Sequence, residues 1–416
     1  MVNEPILSAG VMSSSSFMFL DDLVREVCYV HGKMSLELLV LREIDVFDIE
    51  ARVFNGKKVN YEHTYRLHPF EQPVQNKEGR NLWDDERTFT AILAREDNFD
   101  TIRDWIVDRL DRAKRDSPGA PIRLSGLASY FPTITSLDGD ERELAQHALA
   151  NTIRLALSLP DEMPNPIIEI VCGSVLDSCR CATCKSNASD EYNAPYILQS
   201  WREHKIELLR ESLTQVIKLV EPSCLEPGGT PRFTIALELE PGSENEYVFF
   251  GDATTPSKGL EHNRVEMESN SVESGRESAP HSIKSLDEMI SKDALLNRYV
   301  GYNIDIAHMR IAGITVNDLR PYMSRIVHAH ISDHPDLHTK DQAIGTWSAV
   351  TERKSKGYYG YIELLADRAQ MRDADGLRFS NTISIELEGS HRIDEVHRSL
   401  TALKHMIGVV NDRARA

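Results

Sequence analysis

The chain is short of cysteine, of positive charge and of long apolar runs, and each shortage closes off a class of protein. Six cysteines in 416 residues do not make a disulfide framework. Lysine and arginine together number 47 against 65 acidic residues, a net charge of −18. Such a surface repels phosphate backbones, so no nucleic-acid partner is expected. No apolar stretch approaches the roughly 20 residues that span a bilayer, so no membrane partner is expected either. The first residues, MVNEPILSAGVMSSSSFMF, lack a basic segment followed by a long apolar one. No signal peptide is read there, and a cytoplasmic location is expected. No GxGxxG turn follows the first apolar run, which removes the main sign of a dinucleotide-binding open sheet.

What the chain does have is alternation. Hydrophobic residues make up 41% of it, enough for a full core. Eight short β-rich runs can be read: ILSAGVM, MSLELLV, PIRLSGLA, PIIEIVC, FTIALELE, YVGYNID, RIVHAHIS and TISIELE. Helical patterns lie between them. One example has apolar residues at Ile206, Leu209, Leu213, Ile217 and Val220, close to a 3.6-residue period that buries one face. Other single helices are expected over IKSLDEMISKDALL and VNDLRPYMSR. Strands alternating with helices predict a parallel sheet, and the count fits an α/β (β/α)8 TIM barrel. We expect one such barrel over residues 1–416, with long insertions near 42–97, 173–194, 251–280 and 334–357. Loops of that length in a compact domain are lids or insertions.

A barrel of this kind works at the C-terminal ends of its strands. There the last four runs carry a dense polar set. The fifth ends in Glu238-Leu-Glu240, the sixth in Asp305 with His308 just beyond, the seventh holds His328, His330 and Asp333, and the eighth ends in Glu386-Leu-Glu388. Side chains two apart on a strand share a face, so these polar residues can point to the barrel axis while their apolar neighbours meet the helices. Carboxylates gathered there without compensation would cost several kcal/mol each, on the order of a buried ion's penalty. A divalent cation is the simplest way to hold them together.

This set resembles the xylose-isomerase-like TIM barrels, which include sugar isomerases and sugar-phosphate isomerases and epimerases. The resemblance covers Phe233 to Ser390 well and the rest by topology. It implies a metal held by Glu240, Asp305, His330 and Glu388, with Glu238 or Glu386 as the alternative member of each Glu doublet. The outer members are preferred because they lie nearer the strand ends. It also implies that Glu240 and Glu388 exchange a proton with substrate, and that His308 faces the substrate. The oxygen-rich set suits Mn²⁺ or Mg²⁺, and its imidazoles widen the choice to Co²⁺, Fe²⁺ or Zn²⁺. The chain departs from xylose isomerases proper after the fifth strand, where EPGSENEY carries no lysine for a hydride shift. That favours proton transfer.

Other features leave alternatives open. Asp305 taken alone reads as a helix N-cap. His328 reads as a supporting or packing imidazole. Asp333 either orients His330 or a substrate hydroxyl, or starts the next loop. Arg66, in TYRLHPFEQP, either meets a substrate carboxylate or phosphate or is a surface charge. Cys179, Cys181 and Cys184 form CxCxxC and could hold a structural Zn²⁺ with Cys172 or a distant fourth ligand. They could also be a redox-sensitive lid or free thiols.

The function expected is isomerisation or epimerisation of a sugar, cyclitol or related polyhydroxy carbonyl compound, with a small molecule as the partner and metal dependence. A metal-dependent dehydratase (a lyase) shares the first step, proton abstraction beside a carbonyl. A metal-dependent hydrolase is another class, and a non-catalytic binding protein of a biosynthetic pathway a third. A homodimer is compatible with this type of barrel.

Overall fold

A computed structural model of the chain describes residues 6–15, 20–32, 35–40, 93–116, 122–129, 132–136, 139–171, 195–224, 231–239, 280–311, 314–333, 343–344, 352–371, 377–387 and 392–415. The insertions expected near 42–97, 173–194, 251–280 and 334–357 lie largely outside these residues.

The strands are β1 (Ser8–Met12), β2 (Ser35–Leu39), β3 (Arg123–Ser129), β4 (Ile167–Val171), β5 (Thr234–Glu238), β6 (Val300–Asp305), β7 (Ile326–Ile331) and β8 (Thr382–Ile385). Each falls within one of the expected runs, except that β3 extends one residue beyond its run, to Ser129. They pair in parallel in chain order, and β8 closes back on β1, so the sheet is a closed (β/α)8 barrel. Among the described residues the helices are α1 (Leu20–His31), α2 (Glu96–Asp116), α3 (Gly139–Leu157), α4 (Pro195–Cys224), α5 (Pro280–Lys292), α6 (Ala294–Tyr299), α7 (Ile306–Ile311), α8 (Val316–Leu319), α9 (Glu352–Gln370) and α10 (Ile393–Arg415). None of the described helices is long and apolar enough to cross a membrane.

Alternation along each strand divides its side chains. Leu36 and Leu38 of β2, Ile168 and Ile170 of β4, Ile235 and Leu237 of β5, and Ile383 and Ile385 of β8 join one large apolar core with the helices. On α4, Leu209, Leu213, Ile217 and Val220 enter that core as their period requires. The residues between the outward-facing ones fill the barrel axis.

Two helices differ from expectation. IKSLDEMISKDALL is broken at Asp293, whose Oδ1 accepts from the backbone N–H of Leu295 at 2.9 Å and Leu296 at 3.2 Å, so it caps a new helix, α6. VNDLRPYMSR gives α8 and then a 3₁₀ turn over Arg320–Arg325, because Pro321 has no N–H to continue the α-helical ladder.

Candidate metal centre

The register brings the polar side chains of five strands to one level of the axis. Glu37 pairs with Gly126, Val171 with Glu238, Glu238 with Asn303, Asn303 with His328, Asp305 with His330, and His330 with Ser384. A Cβ at position 126 would stand 3.3 Å from Glu37 Oε1, so glycine leaves the carboxylate its space. Glu37, Glu169, Glu238, Asn303, Asp305, His308, His328, His330 and Glu386 are all buried.

His330 is the hub. Its Nδ1 lies 2.8 Å from Glu386 Oε2, 4.0 Å from Glu238 Oε1 and 3.1 Å from Asn303 Nδ2. Its Nε2 lies 2.9 Å from Glu37 Oε2, which also receives His328 Nε2 at 2.7 Å. His308 Nδ1 stands 3.5 Å from Glu238 Oε1. Asp305 Oδ1 accepts from the N–H of Ala307 at 2.5 Å and His308 at 3.0 Å, so this residue does cap α7. That cap fixes how His308 leaves the end of β6. Asp333, at the exit of β7, accepts from the Tyr358 hydroxyl through Oδ1 at 3.2 Å.

The electrostatics follow from burial set against charge. Burial would push the Glu37 carboxyl up, but His328 and His330, by charge and hydrogen bond, hold it well below the usual carboxylate range. Burial also opposes ionisation of Glu238, and His308 and His330 overcome it, bringing its pKa down to about 2. At Glu169 the compensation is weaker, since only the His330 charge opposes the rise. Burial first, then the neighbouring Glu238 charge, push it well above the usual range, which favours its protonated form. Burial would lower His330, yet Glu37 and Glu386 on its two edges raise it well above an ordinary imidazole.

Two groups of ligand atoms lie close enough to share a cation. One is Glu238, His330 and Glu386, the other Glu37, His328 and His330, with the atoms of each within 4.8 Å of one another. The first fits a divalent ion better. Its two carboxylates converge on the one nitrogen that Glu37 does not engage, and Glu238 Oε1 is buried without a hydrogen bond of normal geometry. In the second group the short contacts are already made as hydrogen bonds from imidazole to carboxylate.

Of the residues expected at the site, the structure brings His308 and His330 together with the first members of the two Glu doublets, Glu238 and Glu386, while Asp305 pairs with His330 along the strands but caps α7 and belongs to neither ligand group. Glu240, Glu388, Arg66, Cys179, Cys181 and Cys184 lie outside the described residues. Glu37 and Glu169 were not anticipated. Each is a single carboxylate flanked by leucine or isoleucine in a short strand, SLELL and IIEIV. A charge in such a setting is itself a signal that the axis is polar there.

No protein-family model and no curated protein matches the chain. Solved structures do. The chain is 12% identical to the probable 3-DHS dehydratase involved in petrobactin synthesis from Bacillus anthracis, over 96% of this chain and 99% of that one, with a TM-score of 0.45. It is 10% identical to a D-allulose 3-epimerase from Methylomonas sp., over 98% of this chain and 99% of that one, with a TM-score of 0.45. It is 12% identical to a xylose isomerase-like TIM barrel protein from Mycobacterium smegmatis in complex with magnesium, over 81% of this chain and 93% of that one, with a TM-score of 0.38.

Proposed function

We propose that the protein is a divalent-metal-dependent isomerase or epimerase, acting by proton transfer on a sugar, cyclitol or related polyhydroxy carbonyl compound. The observation that carries this reading is the convergence of Glu238 and Glu386 on His330 Nδ1, inside a wholly buried acidic axis. Glu238, His330 and Glu386 would hold the ion, with Asp305 beside them. When bound, a cation such as Mn²⁺, Mg²⁺, Co²⁺, Fe²⁺ or Zn²⁺ supplies Lewis acidity to a carbonyl and its neighbouring hydroxyl.

The chain's own groups do the rest. Proton abstraction and return are assigned to Glu240 and Glu388, the second members of the doublets, because the first members are committed to the ion. His308, turned inward by the Asp305 cap, is placed to hydrogen-bond a substrate hydroxyl. Asp333 and Arg66 are the further substrate-binding residues of this reading. Glu169, buried beside Glu238, is pushed toward its protonated form, which lessens the negative charge of the site.

The test is incubation with a panel of ketoses, aldoses and cyclitol ketones in deuterium oxide, with each metal in turn. Deuterium beside the carbonyl in recovered substrate or product, lost in Glu386→Gln, is the expected result. Net loss of water would assign the protein to the dehydratases. Bond hydrolysis without exchange would contradict the reading.

A further inference from the structure

Beneath the candidate ion site lies a buried chain of hydrogen bonds that the proposed chemistry does not use. Glu37 sits in the middle of β2 with no exposed surface, and its single oxygen Oε2 meets two imidazoles, His328 Nε2 at 2.7 Å and His330 Nε2 at 2.9 Å. His328 is held from behind, with Nδ1 2.9 Å from Ser380 Oγ. The two rings stand edge to face, 88° apart with centroids 5.2 Å from each other.

We propose that Glu37 is a positioning residue, which, with His328 behind it, sets the orientation and tautomer of His330 and so presents Nδ1 to the cation. The inference rests on the metal-dependent reading above. Oε2 stands within hydrogen-bond distance of both rings, and a carboxylate oxygen shared in this way accepts from each, which puts a hydrogen on both Nε2 atoms. For His330 this leaves Nδ1 as the nitrogen that exchanges its proton, or its contact with Asn303 Nδ2, for an ion, on the edge that faces Glu238 and Glu386. An apolar side chain would fill the position of Glu37 without burying a charge. It could not choose between the two nitrogens of His330. A carboxylate on the far nitrogen of a ligating imidazole also raises its basicity toward the metal.

Two measurements on the full chain test this. The first is Co²⁺ titration followed by visible absorption, on wild type and Glu37→Gln. We expect one Co²⁺ per chain in wild type. In Glu37→Gln we expect affinity lower by about 10–100-fold, with an altered Co²⁺ band. A folded Glu37→Gln protein with unchanged affinity and band would overturn the proposal. So would a second Co²⁺ per chain that this variant loses, because Glu37 would then be a ligand. The second measurement needs no variant: ¹⁵N-histidine NMR of the metal-free wild type. Protected Nε2 protons on both His328 and His330 support the positioning role. A His330 protonated on Nδ1 alone refutes it. If wild type takes up no metal at all, the functional reading fails, and the NMR result still decides whether Glu37 orients His330.

Discussion

The lower and upper halves of the barrel axis are walled by the same eight strands and hold opposite contents. Below, Ile167, Ala236, Val327 and Leu377 form a small apolar cluster of their own. The packing there is tight: a Cβ at Gly301 would come within 2.5 Å of Val327 Cγ1. Arg368, nearly fully buried, ties the strand entrances by donating to Ile326 O at 2.9 Å and Leu377 O at 2.8 Å. Above, the same inward positions carry Glu37, Glu169, Glu238, Glu386, His328 and His330. The lower half is built for stability, as the N-terminal face of such a barrel commonly is, and the upper half gives up stability for charge.

This contrast predicts that substitutions above change binding while substitutions below change stability. The largest effect belongs to His330→Ala, which removes the hub. Mn²⁺ should then no longer raise the melting temperature, while wild type should gain several degrees at saturating ion, on the order of the 2–4 kcal/mol that tight binding supplies. Calorimetric melting with and without Mn²⁺ checks this.

Next in size is Arg368→Ala. It strands two buried carbonyls and should cost about 2–4 kcal/mol in chemical denaturation. Its metal affinity should stay within about twofold of wild type, in line with the additivity of distant sites. A large loss of affinity would mean that the two halves are not separable.

Smaller, and opposite in sign, is Glu169→Gln in the metal-free protein. The folded-state pKa of Glu169 is raised, so the stability that its proton brings is complete below the usual carboxylate range and is lost as pH rises through the raised value. At pH 8 the variant should therefore be more stable than wild type, and near pH 4 the two should coincide. Denaturation curves at both pH values decide it. The smallest effect is that of Arg413→Ala. It breaks an exposed pair with Glu363 at 2.9 Å and should change stability by less than about 0.5 kcal/mol.

The outer shell was legible in the sequence because it follows from period. Runs such as FTIALELE and RIVHAHIS alternate, the helices between them repeat near 3.6, and a closed eight-stranded barrel results. The helix breaks at Asp293 and Pro321 were equally present as local chemistry, in an N-cap residue and a proline, although the apolar pattern ran through both. The site was legible where it lies at strand ends and in doublets. His330, Asp305, His308 and the Glu pairs stand out against their apolar neighbours. Glu37 does not, because its partners come from across the barrel: His328 is 291 positions away and His330 293. No linear spacing reports such a pairing, and only closure of the barrel makes it. Which member of each Glu doublet turns toward His330 depends on the register of β5 with β6 and of β7 with β8, which pattern alone leaves open by two residues.

The most direct test of the central claim is a crystal structure of the protein soaked in Mn²⁺, read by anomalous scattering. The account predicts one strong peak at about 2.0–2.3 Å from His330 Nδ1 and from carboxylate oxygens of Glu238 and Glu386, as befits a first-row divalent ion. A peak between Glu37 and His328, or no peak in the barrel axis, would contradict it.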